Sequence, residues 1–266
     1  MKKPLVIYHG NCYDGFSAAW VAKQAIPDAE FFAARYNDPP PDVQDRVVLM
    51  VDISYSRDIL VAMLDSAALL RVLDHHKTAE AACAGLDFCT FDLSRSGARL
   101  AWRYFYPEMD PPDWLLRVED RDLWRFAFDD TKAVHAYIAS LPMTFENWDA
   151  LNALSIADIA AKGHAIAGYI QTWCQKAAKE AYLTTLNDIP CIVVNVPYQN
   201  ASEMGSVLLE QHSSAAFAVG YFKRADGRWQ YSLRSRSDFD VSEVAKRYGG
   251  GGHPGAAGFD FADLLV

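Results

Sequence analysis

The chain contains no apolar run approaching the roughly 20 residues of a membrane-spanning helix, which excludes a bundle of such helices. It lacks any basic stripe: 34 acidic residues outnumber 25 lysines and arginines, giving a formal net charge of −9 at pH 7. A grip on long duplex nucleic acid rests on neutralising many phosphates, so a partner of that kind is not expected. Cysteine is scarce and scattered. The five thiols, at 12, 83, 89, 174 and 191, form neither CxxC pairs nor a disulfide framework, which argues for a reducing, cytoplasmic setting. The opening "MKKPLVIYHGNCYDG" has two lysines but no signal-type apolar region or small-residue cleavage pattern, and reads as a first strand. There is no internal repeat, and no low-complexity tract beyond one glycine run.

What is present is a globular composition, 51% hydrophobic and 22% charged over 266 residues, enough for one large or two ordinary domains. The first part alternates strand-like and helix-like segments. "PLVIYH", "RVVLMVDIS" and "LLRVLDHH" are buried strands, while "GFSAAWVAKQAI" and "RDILVAMLDSA" have helical spacing. "FDLSRSGARLAWRYF" is a helix capped by Ser94 or Ser96. Such alternation predicts a parallel sheet with helices on both faces, and ligands of such sheets lie beyond the carboxyl ends of the strands. Residues 145–188 read as a helical connector. From about Ile189 the texture changes to strand, helix, a hairpin turning at Asp226-Gly227, a short helix and a glycine-rich loop. The expected fold is therefore α/β: a parallel-sheet domain over 1–144, a helical connector over 145–188, and a smaller α/β domain over 189–266.

Chemistry-bearing residues gather at the expected strand ends: His9 and Asp14 after the first, Asp52 after the second, Asp74, His75 and His76 after the third. "VEDRDLWRF" adds Asp120 and Asp122 after another short apolar segment. Each alone is an ordinary turn, cap or core residue. Together, carboxylates and imidazoles from distant segments suit Mn²⁺, Mg²⁺ or Zn²⁺, with oxygen donors predominating over the thiolates of a structural zinc site. Two such ions about 3.5–4 Å apart can stabilise phosphoryl transfer. Near the C-terminus, "GGGGHPGAAG" over 249–258 reads either as a flexible linker or as an anion cradle of backbone N–H groups, with His253 inside it. Arg234 and Arg236 alternate on a neighbouring strand and could share one anion.

The DHH of 74–76, the strand-end Asp52, the opening "HGNCYDG" and the closing "GGGGHPGAAG" together resemble the DHH phosphoesterase superfamily with its DHH-associated C-terminal domain. That group holds RecJ-like exonucleases, nano-RNA and cyclic-dinucleotide phosphodiesterases, and manganese-type pyrophosphatases; the last carry a different C-terminal domain and fit less well. The resemblance implies His9, Asp14, Asp52, His75 and Asp120 as metal ligands, with Asp122 the fallback for Asp120. It implies Asp52 bridging two ions, Asp74 orienting the imidazoles, and His76 close to the scissile phosphate. Arg234, Arg236, Gly250, Gly251, Gly252 and His253 would hold substrate phosphate. The cofactor implied is Mn²⁺, with Mg²⁺ or Co²⁺ as substitutes, one or two ions. The first motif departs from the usual pattern: Cys12, beside Asn11, stands where an Asp belongs, which leaves the metal count open. The implied activity is a phosphodiesterase cleaving short oligonucleotides or dinucleotides through a metal-activated water. The alternatives are a nucleotide phosphomonoesterase of the adenosine bisphosphate type, or a catalytically weakened nucleotide-binding protein. Nothing in the sequence reports oligomeric state.

Overall fold

The computed structural model describes residues 2–35, 38–236 and 238–266. Strand β1 (Leu5–His9) leads into α1 (Tyr13–Ala25), then β2 (Glu30–Ala34), β3 (Val47–Val51), α2 (Arg57–Ser66), β4 (Leu69–Asp74), α3 (Lys77–Cys83), β5 (Cys89–Phe91) and α4 (Gly97–Phe105). The five strands form one sheet in the order β2-β1-β3-β4-β5, parallel throughout. Strand residues alternate between two faces, and here both faces are buried. Val6, Leu49, Val51 and Leu73 join one core with Phe16, Trp20 and Trp102; Leu5, Ile7, Val48, Met50 and Val72 join the other with Leu60 and Met63. Near-continuous apolar strands are what a sheet covered on both faces requires.

The helices α5 (Asp113–Asp122), α6 (Thr131–Ala139), α7 (Phe145–Asn152) and α8 (Ile156–Ala177) follow. Ser96 rather than Ser94 caps α4, its hydroxyl accepting from Arg99 N at 3.3 Å. Trp148 of α7 is fully buried, packs edge-on against Phe16 of α1 with ring centroids 4.8 Å apart, and donates from Nε1 to Ser17 Oγ at 3.0 Å. The chain divides into two compact units, Met1–Ala167 and Gly168–Val266, and the division falls inside α8.

In the second unit β6 (Tyr182–Leu186), β7 (Ile189–Asn195), α9 (Ala201–Gln211), β8 (Phe217–Lys223), β9 (Trp229–Ser235), α10 (Val241–Lys246), β10 (Gly251–His253) and β11 (Ala256–Phe261) build a sheet in the order β10-β11-β9-β8-β7-β6. Only β7 and β8 run parallel; the other pairs are antiparallel. The architecture is α/β as the alternation predicts. Three local readings change. β2 is a short edge strand that no periodicity flags. Within 145–188 the helices end in a turn at Glu180, and Tyr182–Leu186 is already a strand paired with β7. The glycine run is not a loop but largely a strand, its Gly251, Gly252 and His253 opposite Gly258, Ala257 and Ala256.

The parallel sheet has one feature that matters for ligands. The chain places β2 on one side of β1 and β3 on the other, so the connections diverge beyond the carboxyl ends of β1 and β3, where such sheets form crevices. No helix among the described residues is long and apolar enough to cross a membrane. Trp148→Ala removes the ring that joins α7 to α1. It is expected to cost about 3–5 kcal/mol of unfolding free energy, read by urea denaturation; a loss under about 1 kcal/mol would contradict this packing.

Candidate metal centre

His9 ends β1, Asp52 follows β3 and Asp74 ends β4, so three strand ends deliver their side chains to the divergence point. Asp52 turns there in the left-handed region, φ 61°, with its N–H donating to Leu73 O at 2.9 Å. Asp tolerates that conformation better than bulkier residues. Two glycines let other backbone close on its carboxylate. A Cβ at Gly97 would stand 2.6 Å from Asp52 Oδ1 and closer still to its Cβ, and one at Gly15 would stand 3.0 Å from Asp52 Oδ2. Asp14, in the first turn of α1, accepts from the N–H groups of Gly97 at 2.6 Å and Ala98 at 3.1 Å. It thereby fastens α1 to the start of α4 and sets both against Asp52.

Three carboxylates converge on one imidazole nitrogen. His75 Nε2 lies 3.0 Å from Asp52 Oδ1, 3.6 Å from Asp122 Oδ2 and 3.7 Å from Asp14 Oδ2. His75, Asp52 and Asp14 are buried. Burial alone would lower the His75 pKa, but Asp52, Asp122 and Asp14 raise it to about 10. Burial, then the charges of Asp52 and Asp122, push Asp14 well above the usual carboxylate range, while His75 and a hydrogen bond from Ser96 pull the other way. Burial would raise Asp52 too, yet the imidazoles of His75, His9 and His76 hold it well below. Burial and the neighbouring carboxylates push the Cys12 thiol up.

The second oxygen of Asp52 points to the other side, 3.4 Å from His9 Nδ1. Donor groups with ligand atoms within 4.8 Å of one another include Asp14, His75 and Asp122; His9, Cys12 and Asp52; and Asp52, Asp74 and His76. Among the described residues, Asp52 Oδ2 and Asp122 Oδ2 are buried oxygens whose nearest donors are imidazole nitrogens at 3.4 and 3.6 Å, too far for a good hydrogen bond. A buried carboxylate oxygen without one is costly, and a divalent cation removes that cost. The residues present fit such an ion.

Behind this cluster Asp74 is fully occupied. Its Oδ1 accepts from the backbone N–H of His75 at 2.7 Å and of His76 at 3.2 Å, and lies 2.7 Å from His76 Nδ1; its Oδ2 accepts from Ser54 Oγ at 2.6 Å. That geometry holds both imidazoles in place. Burial would lower the His76 pKa, but the charge of Asp74 and its hydrogen bond raise it. Ser54 escaped the sequence reading; its signal is its position, two residues beyond a strand-end Asp.

Asp120 and Asp122 exchange places. Asp120 accepts from Ala127 N at 2.9 Å, Phe128 N at 3.3 Å and Thr131 Oγ1, tying the end of α5 to the start of α6. Asp122 is the residue facing His75. Both lie on a helix, not at a strand end. Because they are two residues apart, about 200° around a helix, only one can face the cluster, and a linear motif cannot say which.

The phosphate-binding expectation in the second unit also changes. Arg234 and Arg236 do share a face, both reaching α9. Arg236, however, is committed to backbone carbonyls: it donates to Leu209 O, to Ala215 O at 2.9 Å and to His212 O at 3.2 Å, capping the end of α9. Arg234 donates to Ser202 Oγ at 3.1 and 3.2 Å and to Leu233 O at 2.7 Å. Gly250 is a close-packing residue, since a Cβ there would stand 2.5 Å from that of Phe259. Gly251, Gly252 and His253 sit in the β10 ladder rather than in an open cradle.

Comparison with known proteins agrees with this architecture. Residues 189–264 match the DHHA1 domain family. Across 98% of the chain, and 68% of the relative, the sequence is 29% identical to an uncharacterized protein, R106, of Acanthamoeba polyphaga mimivirus. Among solved structures it is similar to the DHH domain of a protein described as a member of a ribosomal-protein family, at TM-score 0.63 and 15% identity over 97% of this chain and 83% of that one. It is similar to the pGpG-specific phosphodiesterase PggH of Vibrio cholerae, at 0.54 and 14% over 98% and 94%. RecJ of Thermus thermophilus, solved with Mn²⁺, aligns at 0.53 and 15% over 97% of this chain and 49% of that one. The chain therefore has the fold of DHH proteins, and its C-terminal part matches the DHHA1 domain family.

Two substitutions test the local assignments. Gly97→Ala pushes a methyl into Asp52; divalent-metal affinity is expected to fall at least about tenfold by calorimetric titration, with circular dichroism unchanged, and unaltered affinity would contradict the close approach. Arg236→Ala is expected to lower stability by about 1.5–3 kcal/mol, the worth of hydrogen bonds from a charged group. An unchanged urea midpoint would show that Arg236 does not cap α9.

Proposed function

We propose that this chain is a metal-dependent phosphodiesterase that hydrolyses short oligonucleotides or dinucleotides, in a cytoplasmic setting. The observation that carries the reading is the convergence of Asp14, Asp52 and Asp122 on His75 Nε2, at 3.0–3.7 Å, at the divergence point of a parallel sheet. Repulsion among buried carboxylates is tolerated when a cation is to be held there. Divalent ions, Mn²⁺ first with Mg²⁺ or Co²⁺ as substitutes, would supply positive charge against phosphate oxygens and make water acidic enough to serve as nucleophile. Asp14, Asp52, His75 and Asp122 would hold one ion, and His9 with Asp52 a second.

The rest is supplied by the chain. Asp74 fixes the His76 ring at Nδ1, so that His76 is positioned to donate a hydrogen bond to a phosphoryl oxygen as negative charge builds. Its raised pKa favours the protonated, donating form. In the second unit, Arg234 is the side chain best suited to substrate phosphate, whereas Arg236 has a structural task. The acidic net charge of −9 suits a small anion caught by local cations better than a long polymer. Two similar structures are a pGpG-specific phosphodiesterase and a RecJ exonuclease bound to manganese, which supports this chemistry.

The test is hydrolysis of a linear dinucleotide with Mn²⁺, Mg²⁺ and Co²⁺. Asp122→Asn is expected to lower kcat/KM at least about a hundredfold, at the upper end of what loss of a metal-site partner costs. Asp120→Asn is expected to cost about 1–3 kcal/mol of stability while keeping turnover within about tenfold. Release of inorganic phosphate instead of mononucleotides would replace this reading with a phosphomonoesterase. Binding of dinucleotide without turnover under any of the three ions would leave a nucleotide-binding protein.

A further inference from the structure

The donors on the two sides of Asp52 are chemically unequal. Asp14, His75 and Asp122 present oxygen, nitrogen and oxygen. On the other side, His9 and Cys12 present an imidazole and a thiol to Asp52, whose buried Oδ2 lies 3.4 Å from His9 Nδ1. Cys12 stands just ahead of α1, with extended backbone at φ −119° and ψ 131°, and the backbone N–H of Gly15 faces its sulfur. Its sulfur lies within 4.8 Å of both a His9 nitrogen and an Asp52 oxygen, a span that one ion closes by small side-chain rotations.

Ligand type decides which ion such a group takes. All-oxygen sets suit Mg²⁺ and Mn²⁺, whereas a thiolate favours Zn²⁺ and other borderline-soft ions; a His, a Cys and an Asp with an open position is a zinc-type set. We propose that Cys12 is a metal-ligating thiolate and that His9, Cys12 and Asp52 form a site for a borderline-soft divalent ion of the Zn²⁺ class. This site lies beside an oxygen-rich one for Mn²⁺ or Mg²⁺, with Asp52 shared between the two. On binding, the Cys12 S–H bond breaks, its proton passes to solvent, and the sulfur lone pair goes to the cation; nothing is oxidised or reduced. The proposal rests on the reading of this cluster as a metal centre, and it makes the centre hetero-selective.

The test titrates chelator-stripped full-length protein with Co²⁺, which adopts zinc-type sites and reports sulfur ligation optically. Wild-type protein is expected to develop a sulfur-to-cobalt charge-transfer band in the near ultraviolet. Cys12→Ser and Cys12→Asp, checked by circular dichroism, are expected to lose it. Cys12→Asp is further expected to shift the ratio of Zn²⁺ to Mn²⁺ affinities at least about tenfold toward Mn²⁺, measured by competition calorimetry. Co²⁺ bound by wild type without the band, a band surviving in either variant, or an unchanged affinity ratio in Cys12→Asp would overturn the thiolate assignment and leave the metal centre standing. Failure of wild type to bind Co²⁺, Mn²⁺ or Zn²⁺ at all would overturn the centre and this proposal together.

Discussion

Mutual repulsion of closely placed carboxylates is the constraint around which the first unit is arranged. Asp14, Asp52 and Asp122 lie within 3.7 Å of one imidazole nitrogen, and two of their buried oxygens make no well-formed hydrogen bond among the described residues. In the absence of other cations the His75 imidazolium is the local counter-charge, which is why its pKa climbs despite burial. A protein interior accepts such an arrangement only if it is compensated. Each neighbouring feature bears on that compensation: the α4 N–H groups that neutralise Asp14, the imidazoles that hold Asp52 ionised, and the Asp74–Ser54 pair that keeps the His75–His76 turn from moving.

The scaffold makes this possible by bringing backbone closer than side chains would permit. Gly15 and Gly97 allow the starts of α1 and α4 to press on Asp52, and α4 aims its first N–H groups, hence partial positive charge, at Asp14. Asp52 is held in a left-handed conformation, a local strain of the kind that concentrates at functional positions. The parallel sheet offsets that strain through two buried faces rich in Val, Leu, Met and Trp. Stability is thus generated away from the crevice and spent within it.

Much of this is readable in the residues alone, and what escapes has physical causes. The strands β1, β3 and β4 announce themselves as unbroken apolar runs ending in His or Asp, so His9, Asp52 and Asp74 could be placed before any coordinates. Asp122 could not be separated from Asp120, because both belong to one charged segment and helical phase decides which faces inward. Arg236 looked like an anion ligand because sequence shows a charge but not the carbonyls at the end of α9 that consume it. The glycine run was ambiguous for a similar reason: glycines serve open anion loops and tightly packed strands equally well, and only the contact of Gly250 with Phe259 shows which applies. Edge strand β2, with its half-exposed "EFFAA", carries no alternation for a pattern to detect.

The central claim is that Asp14, Asp52, His75 and Asp122 surround a divalent cation. Anomalous X-ray scattering from crystals equilibrated with Mn²⁺ measures this directly. The account predicts a peak at the manganese edge within bonding distance of Asp52, His75 and Asp122. A well-ordered crystal with no peak there, or with its manganese seated instead at Asp120, would contradict it.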